Sequence, residues 1–265
     1  MSKTRLIFCD GICGSGKTST ALFVANQLRR NGLRAKFMVE GSAVRIKGVH
    51  RPSRESIPPI YLNGEITDPT ANALCSPEEY IAQGLDAWRV FADEVRESDR
   101  ITVLDGHFFH AATDDLHYMG ADPELSAQYV PQIVEIISDL NPAFIHLYQH
   151  DVEASLRHTC TSRGRMWTRH QVDWKVETPY GYNKGYKGFD GLVNVFSDLC
   201  DLCDGITKSL SIPYLQIDNL DGDWISYNAQ VLDFLSGVLG QNLEPRYKLA
   251  GDGPYVGWIA AYFRI

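Results

Sequence analysis

Five short apolar runs punctuate the chain: residues 6–9 (LIFC), 35–39 (AKFMV), 101–104 (ITVL), 143–148 (AFIHLY) and 213–217 (PYLQI). Each is rich in strand-forming residues and too short for a typical helix. Between them the apolar period changes to that of a helix. Residues 17–30 carry Ala21, Leu22, Val24, Ala25 and Leu28 at helical spacing, then end in Arg29 and Arg30 before the stop signal Asn31-Gly32. Ser76, Pro77, Glu78 and Glu79 supply an N-cap, a first-turn proline and first-turn acids. The helix they open is expected to run to about residue 96, with Tyr80, Ile81, Leu85, Trp88, Phe91, Ala92 and Val95 on its apolar face. Further helices are expected at about 123–140, where Asn141-Pro142 ends the pattern, at about 152–162 and at 224–239, with a helix-like stretch at 192–206. Strands that alternate with helices predict an α/β fold with a parallel sheet. Near-continuous apolar strands predict a sheet covered on both faces. Three segments fit neither period: residues 41–75 with four prolines, the Gly-, Tyr- and Lys-rich residues 163–191, and the tail at 240–265.

The first strand leads into Gly11, Ile12, Cys13, Gly14, Ser15, Gly16, Lys17 and Thr18, a full match to G-x-x-x-x-G-K-[ST]. Glycines at these positions let backbone N–H groups curl around phosphate oxygens, and the helix that follows points its positive end at the anion. Lys17 is placed for the β- and γ-phosphates and the Thr18 hydroxyl for Mg²⁺. Gly11, Gly14, Ser15, Gly16, Lys17, Thr18 and Ser19 are therefore the expected nucleotide-binding residues, with a nucleoside triphosphate and Mg²⁺ as ligands. The pattern counts for more here because it follows a strand and opens a helix.

Other candidates are defined by position. Asp105 closes the third apolar run, where ligands of parallel sheets bind, and is the expected second Mg²⁺ ligand. Glu40 closes the second run and is a candidate base or acceptor-orienting group; a solvated loop acid is the alternative. Arg157 and Arg163 are candidates for phosphate contact, and Arg165 stands beside them across Gly164. A basic helix end that complements the helix dipole is the competing explanation. Arg45 and Arg51, in a run with Lys47, His50 and Arg54, either meet an anionic substrate group or form a solvated loop. His107 and His110 either touch substrate or pack. Tyr180, Tyr182, Tyr186 and Phe189 either stack on a planar ligand or fold onto the core.

Composition narrows the function classes. The chain has 265 residues and a net charge of −8, which argues against a polymeric nucleic-acid partner. Among six scattered cysteines only Cys200 and Cys203 form a C-x-x-C pair, and no second pair follows at zinc-ligand spacing. Buried, reduced thiols are the expectation, in keeping with a cytoplasmic protein. The N-terminal apolar run is too short for a signal peptide, and no stretch is long enough to span a membrane.

Taken together, the glycine-rich motif, Glu40, the Leu104-Asp105-Gly106-His107-Phe108 segment and Asp151-Val152-Glu153 leading to Arg157 and Arg163-Gly164-Arg165 resemble the thymidylate kinase and deoxynucleoside kinase branch of the P-loop nucleoside/nucleotide kinases. The resemblance covers about residues 5–165, and residues 213–218 resemble the last core strand. It implies one three-layer α/β/α domain over residues 1–265, with a five-stranded parallel sheet in the order 2-3-1-4-5. Residues 41–75 become an acceptor-side loop, 163–191 an aromatic-rich lid or insertion, and 240–265 a C-terminal extension. It also implies phosphoryl transfer from ATP, with Lys17, Arg157 and Arg163 on phosphates and Glu40 or Asp105 at the acceptor end; the candidates toward substrate remain Glu40, His107, Arg45 and Arg51, by their own charge and position. The expected partner is a small molecule bearing a hydroxyl or phosphate; a second copy of the chain is left open. A nucleotide switch or acceptor-free ATPase is the alternative. Guanine-specific switches carry Asn-Lys-x-Asp, and Asn183-Lys184-Gly185-Tyr186 lacks the Asp.

Overall fold

A computed structural model describes residues 4–39 and 76–246. Five strands, β1 (Leu6–Asp10), β2 (Ala35–Met38), β3 (Ile101–Asp105), β4 (Ala143–Tyr148) and β5 (Tyr214–Asp218), form one sheet in the order β2-β3-β1-β4-β5. Every neighbouring pair is parallel. The expected order is therefore observed, with strand ends displaced by at most one residue.

Period-two alternation sorts the strand side chains onto two faces. Leu6, Phe8, Leu104 and Phe144 share one core with Trp88 and Phe91 of helix α2 (Pro77–Glu97), Ile133 of α4 (Pro123–Ile137) and Leu192, Val195 and Phe196 of α8 (Gly188–Ser209). Ile7, Cys9, Val103, Ile145 and Ile217 share the other with Val24 and Leu28 of α1 (Lys17–Arg30) and Val231 and Leu235 of α9 (Trp224–Leu239). Helices thus cover both faces, and each fully buried Leu, Ile or Phe contributes about 1.5–3 kcal/mol. The start of α2 is a capping box: the Ser76 hydroxyl accepts from Glu79 N at 3.2 Å, and Glu79 accepts from Ser76 N at 2.8 Å. Such a cap stabilises a helix by about 1 kcal/mol.

Two regions differ from the sequence reading. Residues 163–191 are mostly helical rather than irregular: α6 (Arg165–Val176), α7 (Pro179–Asn183) and the first turn of α8 occupy them. The inward side of α6 is built from Trp167, Thr168, Gln171, Val172, Trp174 and Lys175, all half-buried or buried. With so few aliphatics on that side, the helical period is masked. Gly164, at φ +86°, separates α6 from α5 (Val152–Arg163) without a loop. The second difference follows β3, where a π-helical turn (Phe109–Thr113) runs into the short helix α3 (Asp114–Tyr118). Residues 241–246 of the expected extension return along α1: Arg246 N donates to Gln27 Oε1 at 2.9 Å and Glu244 N to Asn31 Oδ1 at 3.2 Å. No helix among the described residues is long and apolar enough to cross a membrane.

Candidate functional site

Residues 11–18 leave the carboxyl end of β1 and turn directly into α1. The turn is possible because Gly14 and Gly16 take left-handed backbone angles, φ +84° and +87°. Gly16 is the N-cap of α1 and supplies no side-chain cap. The helix therefore begins with its N–H groups and its positive end directed at whatever the loop encloses. Neighbouring elements close on the loop. A β-carbon at Gly14 would stand 2.0 Å from Thr159 Oγ1 of α5, and one at Gly16 would stand 2.3 Å from Trp224 Cη2 of α9. From below, the Asn219 amide donates to the Ser15 carbonyl and Gln149 donates to Asn219. Ser15 Oγ is buried and has no hydrogen-bond partner among the described residues. A buried hydroxyl in a loop backed by an uncapped helix suits an anionic ligand that offers acceptor oxygens.

Lys17 is buried at the start of α1. Positive charge collects at this end of the sheet: the Cys13 thiol is raised by burial but pulled back by Lys17, Lys175 and Arg163. Lys175 was not a sequence candidate. It lies on α6, 4% exposed, with Nζ 3.4 Å from the Tyr118 ring centroid and 3.6 Å from that of Trp174. Arg163 stacks at 5.1 Å over Trp167. Arg157 has a different environment. Like Arg163 it is exposed, but it pairs with Glu153 at 2.7 Å and stacks over Phe189 at 4.7 Å. The Phe189 ring is thus engaged by an arginine. Tyr180 and Tyr186 both donate to Asp198, at 2.9 and 2.8 Å, and both pack on the core.

Asp105 is fully buried at the carboxyl end of β3, and Cys9 of β1 is its register partner. The next two residues, Gly106 and His107, both take left-handed angles, φ +74° and +82°. A non-glycine residue there is strained, and such strain concentrates at functional sites. His107 is buried and its Nδ1 donates to the Asp105 carbonyl at 2.8 Å. His110, one turn on, pairs through Nδ1 with Asp114 Oδ2 at 2.9 Å. π-Helical turns of this kind often mark working sites.

Asp10 was not anticipated as a site residue. It is fully buried as the last residue of β1, and its carboxylate accepts hydrogen bonds from Gly11 N, Phe108 N and Phe109 N at 2.7–2.9 Å. Burial pushes this carboxyl up to about 6, against the pull of His110, the Phe109 N–H, Lys17 and the Gly11 N–H. A carboxylate set between an apolar run and a glycine-rich loop was the available signal. Its partners on the β3 side lie about a hundred residues away, beyond any local pattern.

The site thus gathers Gly11, Gly14, Ser15, Gly16, Lys17, Thr18 and Ser19 in one loop and helix start, with Asp105 and His107 at the end of the adjacent strand and Arg163 on the α5 side. Glu40, Arg45 and Arg51 lie outside the described residues, as do Lys47, His50, Arg54 and Cys75. Among the described residues no group of three or more His, Cys, Asp or Glu side chains is arranged to hold a metal ion by itself. Thr18 and Asp105 would share an ion with a ligand's own oxygens, as is usual for Mg²⁺. No protein-family model matches the chain, and no curated protein matches it.

Proposed function

We propose that this protein is an ATP-dependent phosphotransferase of the P-loop kinase type, which moves the γ-phosphate to a hydroxyl or phosphate of a small molecule. The observation that carries the reading is the loop at residues 11–18, which carries the full motif at the carboxyl end of a central parallel strand and opens α1 without a side-chain cap. In this reading the loop N–H groups and the Lys17 ammonium hold the donor phosphates. Thr18 and Asp105 would hold Mg²⁺, which neutralises charge on the donor phosphates when bound. Arg163 and Lys175 add positive charge on the side where the α5–α6 corner meets the loop. Glu40 is the proposed base or acceptor-orienting group, with His107, Arg45 and Arg51 toward the acceptor. The alternation of buried cation, buried acid and uncapped helix end supports charge stabilisation and positioning as the main catalytic contributions.

Calorimetric titration with ATP and Mg²⁺ tests the reading. The wild-type chain is expected to bind one nucleotide, and Lys17→Ala to weaken binding at least about tenfold while its melting curve stays cooperative. Absence of nucleotide binding by the wild-type chain, or undiminished affinity in Lys17→Ala, would sink it.

A further inference from the structure

Asp10 sits where β1 ends and the glycine-rich loop begins, and no water reaches it. Its Oδ1 accepts from Gly11 N at 2.8 Å, and its Oδ2 accepts from Phe108 N at 2.9 Å and Phe109 N at 2.7 Å. The His110 N–H lies 3.4 and 3.3 Å from the two oxygens. One carboxylate therefore collects the first N–H of the loop and three successive N–H groups of the turn after β3. Burying a carboxylate is costly, and a nest of backbone donors is the arrangement that offsets it. Without the carboxylate, these three turn N–H groups would lack this acceptor at the start of the π-helical turn.

The clamped turn carries unfavourable backbone angles. Gly106 and His107 are consecutive left-handed residues, and His107 has a β-carbon to accommodate. On the strand side the turn is tied by Gly106 N donating to Cys9 O at 2.9 Å. On the far side Phe108 and Phe109 pack into the core, with the Phe108 ring 4.6 Å from that of Phe8 and the Phe109 ring 5.2 Å from that of Phe144. The Asp10 clamp lies between these fixed ends. It couples the loop, through Gly11, to the segment that carries Asp105 and His107.

We infer that Asp10 is a positioning residue: its carboxylate holds the turn at residues 106–110 in register with the glycine-rich loop, so that Asp105 and His107 keep their places relative to a bound nucleotide. The inference rests on the phosphotransferase reading. Asp10 touches neither nucleotide nor acceptor in it; the residue acts through the backbone of the turn.

The test compares wild type with Asp10→Asn, which keeps the shape but turns an NH₂ group toward backbone donors. Backbone hydrogen exchange is read first, without any ligand. In the wild type, the amides of Phe108 and Phe109 are expected to exchange as slowly as those of β1, and in Asp10→Asn residues 106–113 are expected to exchange at least about tenfold faster while β1 is unchanged. Fast exchange of Phe108 and Phe109 in the wild type overturns the clamp even if the variant fails to fold. Turnover and Mn²⁺ affinity of the nucleotide complex are read next. Asp10→Asn is expected to keep its KM for ATP within about threefold, to lose at least about tenfold in kcat, and to bind Mn²⁺ about tenfold more weakly by electron paramagnetic resonance. Wild-type values of kcat and Mn²⁺ affinity in the variant overturn the inference alone. A parallel loss of ATP affinity, cooperativity of melting and kcat also overturns it, since that pattern marks a general packing role. A wild-type chain that neither binds nor turns over ATP overturns the phosphotransferase reading, and this inference with it.

Discussion

Gly14→Ala is a sharp probe of how the glycine-rich loop is built. The native residue has φ +84°, and the added β-carbon would stand 2.0, 2.8 and 2.9 Å from Oγ1, Cγ2 and Cβ of Thr159. Two costs follow. A left-handed angle costs a residue with a β-carbon about 1–2 kcal/mol. Forcing an extra carbon against α5 costs about 1–3 kcal/mol in displaced neighbours. The sum, about 2–5 kcal/mol, corresponds to a fall in melting temperature on the order of 10 °C for a chain of this size. The two costs separate in a double-mutant cycle with Thr159→Ala. That change removes the hydroxyl and the methyl group and leaves only Thr159 Cβ at 2.9 Å. Thermal and urea melts of the four proteins are expected to show about 1–2 kcal/mol of favourable coupling, with the backbone cost of Gly14→Ala remaining. Strict additivity, or a Gly14→Ala protein as stable as wild type, would refute the packing of α5 against the loop.

Other outcomes follow from the same geometry. Trp224 packs its ring edge against Gly16, so ATP binding should change tryptophan fluorescence in the wild type, and Trp224→Phe should remove most of that change; an unaltered signal in the variant would contradict the contact. Arg163 shares the field at Cys13 with Lys17, whereas Arg157 is held by Glu153 and Phe189, so Arg163→Ala should lower kcat at least about tenfold more than Arg157→Ala; equal effects in steady-state kinetics would refute the distinction. His117 and His146 are buried and held down to about 4, each mainly by burial. Between about pH 4 and 6.5 the unfolded chain binds protons that these folded imidazoles refuse, so their contribution, up to about 3 kcal/mol each, is present above pH 6.5 and lost as pH falls toward 4. Asp10 opposes this: raised to about 6, it takes up a proton on folding between about pH 4 and 6, so its contribution falls as pH rises through that window. Urea melts across pH 4–7 should therefore show stability rising with pH in wild type and a flattened or reversed slope in the His117→Gln, His146→Gln double variant; an unchanged slope would contradict the assignment.

Much of the fold was legible in the sequence because all five strands are parallel and β3, β1 and β4 lie in the middle of the sheet. Residues such as Ile7, Val103 and Ile145 are buried on one face and Phe8, Leu104 and Phe144 on the other, which leaves a continuous apolar run. The helices α2 and α9 announced themselves through Ser76-Pro77 and through their apolar spacing, and the loop at residues 11–18 through its fixed glycines and Lys17. What remained hidden depends on partners distant in the chain or on unusual faces. Helix α6 buries Lys175 among Tyr118 and Trp174, so the residue that marks its inner side reads as a surface charge. The π-helical turn after β3 starts on donors claimed by Asp10, a contact that no local window contains. Arg157 and Arg163 look alike in sequence, yet Glu153 one turn before Arg157 gives that arginine a partner on its own helix.

The most direct test of the account is transfer of label from γ-radiolabelled ATP, with Mg²⁺, to a panel of nucleosides, nucleotides and hydroxylated small molecules, separated by chromatography. The account predicts label on at least one acceptor, acceptor-dependent turnover, and loss of that transfer in Lys17→Ala. Label released only as free phosphate, at a rate no acceptor changes, would contradict it and point to an ATPase or nucleotide switch.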